Sequence, residues 1–162
     1  MIKTRLLIKE DIDACISIWK RNHNEKYTTE DDVRKDLNAM FNSFWLVPEY
    51  WVITRYDEVI GFIGFCEQPM DYDCFGFYWL NIDPNFQKFG YGIRLIKAAV
   101  VSILKRLDGE YGCLMGTCRP ELRSFYQKLG MTTISKKGLG QEYIVMHEVN
   151  VDNSDNTFRK HI

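Results

Sequence analysis

The sequence predicts a mixed α/β fold, in which a central mixed β-sheet carries helices on both faces. Two observations lead to this class. Residues 75–82 are almost all aromatic or aliphatic, which is typical of a strand covered on both faces. The stretch after Gly92 repeats apolar residues every three or four positions, which is typical of one face of a long helix. The predicted elements follow the order β-α-α-β-β-β-α-β-α-β-β.

The N-terminal third contains a short strand and two helices. The strand covers residues 4–8, and the first helix runs from Glu10 to about Arg21, because its apolar residues follow helical spacing. Thr29 and Asp32 have the spacing of a capping box, in which each side chain bonds to the other's backbone N–H. The second helix is therefore predicted to begin at this pair.

A β-hairpin and the central strand come next. Residues 50–55 and 59–66 are rich in strand formers and flank a turn at residues 56–58. A loop is predicted at residues 69–73. The central strand ends before Pro84, because proline has no N–H with which to continue the sheet.

The C-terminal half adds a long helix, a strand, a short helix and a final hairpin. The predicted segments are the helix from Gly92 to Asp108 and Gly109, the strand 113–117, the helix from Leu122 to Gly130, the strand 132–136, the turn 138–140 and the strand 142–149. Residues 151–162 are polar and show no period, which predicts a flexible tail.

Composition and charge limit the function classes. The chain has 162 residues, of which 46% are hydrophobic, so one domain over residues 1–150 is expected. Its 21 basic and 22 acidic residues give a net charge of −1, which argues against binding nucleic acid through bulk positive charge. The start lacks the long apolar core of a signal peptide, and no apolar stretch reaches the roughly 20 residues of a membrane span. A cytoplasmic protein without a membrane partner is predicted.

The cysteines predict no metal site. They stand at positions 15, 66, 74, 113 and 118, without the paired spacing that zinc sites use. Reduced thiols in the core are expected. A catalytic cysteine would need a histidine partner, and His23, His147 and His161 lie in no motif that indicates one.

The segment from Ile82 to Arg94 is the part of the sequence that indicates chemistry. A buried strand ends at a proline, and a loop with Gly90 and Gly92 leads into the long helix. Glycine allows a ligand to approach the backbone closely, and the first turn of a helix offers unpaired N–H groups with a partial positive charge. The segment therefore suits a pyrophosphate, although the patterns of the P-loop and of the dinucleotide-binding loop are both missing.

The hexapeptide Gln87-Lys-Phe-Gly-Tyr-Gly92 resembles the Q/R-x-x-G-x-G/A motif of the GNAT superfamily of N-acetyltransferases. Two further segments, Leu80-Asn-Ile-Asp-Pro84 and Phe125-Tyr-Gln-Lys-Leu-Gly-Met131, look like segments of the same family. The resemblance covers nearly the whole chain. It implies acetyl-CoA as the acetyl donor, an amine of a small molecule or a protein as the acceptor, and no metal.

The resemblance also implies which residues bind acetyl-CoA. One edge of the central strand, at Leu80, Asn81 and Ile82, would pair with the pantetheine arm, which requires that strand to be splayed from the strand 113–117. The backbone of the loop would hold the pyrophosphate, through Gln87, Lys88, Phe89, Gly90, Tyr91, Gly92 and Ile93. The residues themselves leave two other roles open. The Gln87 side chain could be an amide that stabilises the loop, and Lys88 could be a solvated charge.

The implied reaction is attack of a neutral amine on a thioester carbonyl, followed by loss of the CoA thiolate, and it needs one acid and one base. Tyr126 matches the tyrosine that serves as general acid in the family, although it shares an apolar helix face and could instead be a packing residue. Gly76 stands where some relatives have a glutamate base. The remaining candidates for the base are the predicted loop carboxylates Glu67, Asp71 and Asp73, or water.

The acceptor side and the pantetheine contacts are less defined. Arg119 stands where many relatives have an asparagine that bonds pantetheine. Two groups of residues could line an acceptor pocket, although helix capping and core packing explain them equally well. They are the acidic residues Glu25, Glu30, Asp31 and Asp32, and the aromatic residues Phe44, Trp45, Tyr50 and Trp51.

Two other functions compete with a small-molecule or protein N-acetyltransferase. One is a non-catalytic acyl-CoA-binding module, which the absence of a carboxylate at Gly76 would allow. The other is a toxin-like acetyltransferase that acts on aminoacyl-tRNA, against which the near-zero net charge argues. A homodimer is compatible with each of these functions.

Overall fold

The computed structural model describes residues 1–23, 28–69, 71–107, 111–137 and 142–150. The strands are β1 (Ile2–Leu6), β2 (Glu49–Arg55), β3 (Glu58–Gln68), β4 (Asp71–Ile82), β5 (Tyr111–Cys118), β6 (Thr132–Lys137) and β7 (Glu142–Asn150). The helices are α1 (Ile12–Asn22), α2 (Glu30–Asn42), α3 (Tyr91–Leu104) and α4 (Arg123–Lys128). The predicted class and the predicted order of elements are confirmed.

The chain divides into two compact units. The first comprises residues 1–66 and 79–99, and the second comprises residues 67–78 and 100–162. In the first unit β2 pairs antiparallel with both β1 and β3, and the largest buried side chains include Trp19, Phe62 and Phe65. In the second unit β4 pairs in parallel with β5, whereas β7 pairs antiparallel with both β5 and β6.

The pairing between β4 and β5 is short. It joins Cys74 to Cys113, Phe75 to Leu114 and Gly76 to Met115, and it ends there although both strands continue. A parallel pair that separates after three residues is the splayed pair that the family resemblance implied.

Local sequence signals explain two of the element boundaries. The Asp32 N–H donates to Thr29 Oγ1 at 3.3 Å and the Thr29 N–H donates to Asp32 Oδ2 at 2.9 Å, so the predicted capping box opens α2. Tyr56 and Asp57 connect β2 to β3 with φ angles of 49° and 68°. Two positive φ angles define the type I′ turn, whose twist matches that of a β-hairpin.

The structure corrects the environment of three predicted carboxylates. Glu67 lies in β3, and Asp71 and Asp73 lie in β4, so none of them is a loop residue. Both strands extend beyond their apolar segments, because pairing within a hairpin satisfies the backbone of polar residues as well.

Helix α3 ends earlier than predicted, at Leu104. The following turn is tighter than an α-helix, since the Arg106 N–H donates to the Ile103 carbonyl oxygen at 2.8 Å. The predicted helix end at Asp108 and Gly109 lies outside the described residues. So do Glu25, the turn 138–140 and the tail 151–162.

None of the helices in the described part of the chain combines the length and the apolar character that crossing a bilayer requires.

A partly buried ion pair fixes the N-terminal segment of the first unit. Arg5 donates from Nη1 to Asp11 Oδ2 at 2.6 Å and from Nη2 to Asp11 Oδ1 at 2.9 Å, and the Ile8 N–H donates to the same carboxylate at 2.9 Å. Burial of Asp11 opposes its ionisation, but these donors outweigh burial and hold the pKa of Asp11 below its usual value. The ionised carboxylate is therefore part of the folded state.

Replacing Asp11 with Asn is expected to lower the free energy of unfolding by about 2 kcal/mol at pH 7, because charged hydrogen bonds are lost at a buried site. Since the folded-state pKa is depressed, the contribution is fully present above the unfolded pKa of about 3.9 and disappears as the pH falls through the folded value. Urea unfolding at pH 7 and near pH 3 measures both effects.

The matched control for this prediction is Asp13→Asn. Asp13 bonds to Arg34 at the surface, where its side chain is 84% exposed, so its loss should change the free energy of unfolding by less than about 0.5 kcal/mol. Equal effects of the two substitutions would contradict the assignment.

Candidate active site

The loop after β4 begins at a fixed point in the first unit. The Asp83 N–H donates to the Ile60 carbonyl oxygen of β3 at 2.9 Å. Asp83 Oδ1 then accepts from the Asn85 N–H at 2.9 Å and opens a short 3-10 helix, Pro84–Phe86. Proline at the first position of this turn needs no N–H partner. The chain therefore leaves the sheet in a defined direction.

The side chain of Gln87 stabilises the loop. Its Nε2 donates to the Ile82 carbonyl oxygen at 3.1 Å and to Asn22 Oδ1 at 2.9 Å. Asn22, at the end of α1, also donates from Nδ2 to the same Ile82 carbonyl at 2.9 Å. The loop is thereby joined to the end of β4 and to the end of α1. The sequence left open that the Gln87 side chain is an amide that stabilises the loop, and the structure shows these stabilising contacts.

The backbone after Gln87 forms an open cradle at the start of α3. Lys88 has a φ of 68° and Gly90 a φ of 81°, and a Cβ at Gly90 would meet no atom within 4 Å. The first helical bond runs from the Arg94 N–H to the Gly90 carbonyl oxygen at 3.1 Å. The N–H groups of residues 91–93 therefore precede the intrahelical bonds and are available to an anion. The cradle fits a pyrophosphate.

Strand β4 has a strained residue just before the predicted pantetheine-pairing segment. Trp79 has a φ of 57°, which is rare for a bulky side chain. Its Nε1 donates to Asp36 Oδ2 at 2.9 Å, and its ring meets those of Trp19 and His23 edge-on at 6.4 and 6.3 Å. Such strain persists where the surroundings fix the residue, and it is concentrated at functional sites. Sequence analysis missed Trp79, because nothing in the sequence signals this backbone.

Asn81 shows which edge of β4 is available. A Cβ at Gly61 of β3 would lie 2.8 Å from the Asn81 carbonyl oxygen, so this carbonyl faces β3. Backbone groups of successive strand residues point to opposite edges, so those of Leu80 point away from β3. The Asn81 side chain is 3% exposed, and its Oδ1 lies 3.0 Å from His23 Nε2. Asn81 is therefore buried against His23, and the backbone groups of Leu80 point to the opposite edge of β4.

Tyr126 belongs to the second unit, on α4. Its side chain is 3% exposed, and its ring lies 5.3 Å from that of Phe77 and 5.0 Å from that of Phe125. Burial, with a smaller contribution from neighbouring Cys118, raises the pKa of the Tyr126 phenol above its usual value. The hydroxyl therefore remains protonated at neutral pH and can donate a proton or a hydrogen bond.

The other predicted residues of the second unit have local partners. Glu67 Oε1 lies 3.9 Å from Arg106 Nη1. Arg119 Nε lies 3.5 Å from Glu121 Oε1, with both side chains more than half exposed. A Cβ at Gly76 would lie 2.5 Å from Gln68 Nε2, so the carboxamide of Gln68 occupies the space that a side chain at this position would need.

Three of the acidic and aromatic residues considered for an acceptor pocket have structural roles. Glu30 pairs with Lys20 and Arg34, and Asp32 belongs to the capping box. Tyr50 is buried in the core of the first unit, whereas Phe44 is fully exposed. Ion pairing, helix capping and core packing thus account for Glu30, Asp32 and Tyr50 in turn.

Metal ligands are not grouped in the described ranges: no cluster of three or more His, Cys, Asp or Glu residues there could hold a metal ion.

Comparison with known proteins identifies the class that this fold and this loop define. The family model described as "Acetyltransferase (GNAT) domain" matches residues 48–132, just over half of the 162 residues. The chain belongs to the GNAT acetyltransferase family, and it is therefore an acyltransferase. No curated protein matches the chain at a significant level.

Three solved structures illustrate the shared fold. A GNAT-family acetyltransferase of Desulfovibrio desulfuricans has 13% identity and a TM-score of 0.75, over 93% of this chain and 99% of that one. The ribosomal-protein-S18-alanine N-acetyltransferase of Escherichia coli has 16% identity and a TM-score of 0.70, over 93% and 94%. The PaiA N-acetyltransferase of Thermoplasma acidophilum, in complex with coenzyme A, has 17% identity and a TM-score of 0.71, over 90% and 98%.

Proposed function

We propose that this protein transfers the acetyl group of acetyl-CoA to a primary amine of a small molecule or a protein. The observation that supports the proposal most directly is the open cradle at Gly90, where free N–H groups begin α3. Family membership supports the reaction class. Among similar folds, one protein is named for acetylating the alanine of a ribosomal protein, and another holds coenzyme A.

The residues that would hold the donor lie in the first unit. The backbone of residues 87–93 binds the pyrophosphate, and the Leu80 edge of β4 pairs with the pantetheine arm, beside Asn81 and Ile82. When bound, acetyl-CoA supplies the activated acyl group as a thioester. The chain's part is to orient the donor through these backbone groups, while the Gln87 side chain keeps the loop in place.

Tyr126 supplies the proton for the leaving thiolate in this proposal. A thiol has a pKa near 8.5, so its thiolate accepts a hydrogen bond or a proton from a phenol that is still protonated. Burial of Tyr126, together with the match of its segment to the family, supports the role. The ring contacts with Phe77 and Phe125 hold the side chain in one orientation.

Replacing Gln87 with Ala is expected to raise the Kd for CoA by roughly tenfold, because two hydrogen bonds of about 0.7 kcal/mol each no longer hold the loop. Isothermal titration with CoA measures the change. Lys88→Ala is the control on the next residue, because its proposed contact is through the backbone, and it should change Kd by less than about threefold. A Gln87→Ala variant that binds CoA like the wild type would contradict the holding role.

No single carboxylate is expected to be indispensable as the base. Glu67→Gln, Asp71→Asn and Asp73→Asn should each retain more than about a thousandth of wild-type turnover, because ordered water can carry the amine's proton to any of several groups. With the best acceptor, kcat/KM should rise with pH toward the pKa of that amine. Glu121→Gln, which alters an exposed pair with Arg119, is the control that measures how much turnover changes when a surface carboxylate is lost. If one of the three substitutions lowers turnover below about a thousandth of the wild-type value while CoA still binds, the replaced carboxylate is a dedicated base.

A turnover screen tests the proposal as a whole. Thiol release from acetyl-CoA is measured with polyamines, aminoglycosides, amino acids and peptides that have a free N-terminus. Release that depends on one class of amine, with an acetylated product of the right mass, is the expected result. CoA binding without release for any amine would identify a non-catalytic acyl-CoA-binding module instead. The cytoplasmic location and the homodimer stay predictions.

A further inference from the structure

Two cysteines of the second unit face each other across β4 and β5. Cys74 and Cys113 are directly paired in the strand register, and their sulfur atoms lie 2.8 Å apart. Neighbouring strands lie about 4.8 Å apart, within the range of roughly 4.4–6.8 Å that Cα atoms joined by a disulfide adopt. The strand spacing is therefore compatible with a bond between these sulfur atoms.

The remaining cysteines do not offer a comparable pairing. Cys118 lies five residues beyond Cys113 on the same strand, which places their Cα atoms about 16 Å apart. Cys66 directs its Sγ to the Leu46 carbonyl oxygen at 3.1 Å. Cys15 is fully buried in α1, where burial, more than nearby Asp11, raises its thiol pKa far above the usual value. Of the five cysteines, Cys74 and Cys113 are the pair placed to react with each other.

We propose that Cys74 and Cys113 form an intramolecular disulfide when the protein meets a two-electron thiol oxidant such as hydrogen peroxide. Cys113 is half-buried and meets the oxidant first, whereas Cys74 is buried with its sulfur against that of Cys113. The Cys113 sulfur attacks the peroxide, the O–O bond breaks, and a sulfenic acid and water result. The Cys74 sulfur then attacks the Cys113 sulfur, so that the S–S bond forms, the S–O bond breaks and a second water leaves. Two thiols lose two electrons and two protons, and peroxide takes them up.

The bond would strengthen a short connection. Only three residue pairs join β4 to β5 in the described register, and the cysteines form the first of them. A disulfide there closes the chain between residues 74 and 113 and reduces the freedom of the unfolded state. Oxidation is therefore expected to raise the melting temperature by roughly 5–10 °C. The inference does not depend on the proposed acetyl transfer.

The test is a peroxide titration of the intact wild-type protein. Its thiols are counted with Ellman's reagent after denaturation, and five should fall to three. The monomer should lose two hydrogen atoms in intact mass, and peptide mapping should join the segments that contain Cys74 and Cys113. Dithiothreitol should reverse both changes.

Variants locate the bond. Cys113→Ala should keep all four remaining thiols through a first exposure to peroxide, because the buried Cys74 does not meet the oxidant. Cys74→Ala should fall from four thiols to three, because its Cys113 forms a sulfenic acid that no neighbouring thiol resolves, and its intact mass should rise by one oxygen atom. Cys66→Ala, the matched control, should fall from four thiols to two. Melting curves show that each variant is folded. The proposal is overturned if the wild type keeps five thiols, if its bond maps to other cysteines or joins two chains, or if Cys113 of the wild type is oxidised without a bridge. Because the wild-type measurement decides alone, a variant that fails to fold does not affect it.

Discussion

Gly90→Asp is expected to abolish the thermal stabilisation that CoA gives to the wild-type protein. A ligand that binds only the folded state adds about 2.7 kcal/mol at 100 times its Kd, which raises the melting temperature of a domain of this size by roughly 5–10 °C. The aspartate would place a negative charge in the cradle, where we propose that the N–H groups at the start of α3 bind the pyrophosphate. Differential scanning fluorimetry with and without CoA measures the loss.

Gly90→Asn separates charge from shape in this experiment. Asn and Asp have nearly the same size, and both accept a left-handed backbone such as the φ of 81° at this position. A Cβ there meets no atom within 4 Å, so neither side chain is excluded by the protein itself. We expect Asn to keep at least part of the CoA-dependent shift and Asp to lose it. An unchanged shift in Gly90→Asp would contradict the phosphate-loop assignment.

Local patterns were sufficient to predict most of the fold. The capping box at Thr29 and Asp32 and the hairpin turn at residues 56–58 depend on neighbours in the chain, and both were confirmed. The splayed strand pair was implied by the family resemblance, because its cause lies in contacts between distant residues. Glu67 and Asp71 were misplaced in a loop for the same reason: pairing within the hairpin, which a one-dimensional pattern does not contain, brings them into strands.

Part of the candidate site could be located from the sequence. The loop from Gln87 to Ile93 could be located, because glycine spacing before a helix is visible in the sequence. The strained Trp79, with its bond to Asp36, could not be predicted, since a left-handed tryptophan has no sequence signature. The pairing of Cys74 with Cys113 is equally invisible, because the register of two strands separated by a helix is set by tertiary packing.

Tyr126→Phe is expected to lower kcat by about 10²-fold while KM for acetyl-CoA and the melting temperature stay near their wild-type values. Only the hydroxyl is removed, and acid–base groups typically contribute 10²–10⁴-fold. The remaining ring can still pack against Phe77 and Phe125, at the centroid distances of 5.3 and 5.0 Å that the tyrosine shows. Steady-state kinetics with the best acceptor, together with thermal melting, measure the separation between catalysis and stability.

Phe125→Leu is the matched control on the same helix, because it disturbs ring packing and removes no hydroxyl. It should lower the melting temperature, since a buried aromatic contact contributes about 1 kcal/mol, and it should change kcat by less than about threefold. Tyr126→Phe with wild-type kcat would show that Tyr126 is a packing residue. A fall in the melting temperature equal to that of Phe125→Leu would also contradict the acid role.

The pH profile gives an independent check of Tyr126. Because burial raises its pKa above the usual value of about 10, the phenol keeps its proton through the neutral and moderately alkaline range. The wild-type kcat should therefore rise with deprotonation of the amine and show no fall from loss of this acid below about pH 10. In Tyr126→Phe the same rise should persist at a lower level, because the acceptor amine still has to lose its proton. A fall between pH 7 and pH 9 in the wild-type profile that persists in Tyr126→Phe would assign the acid to a different and more acidic group.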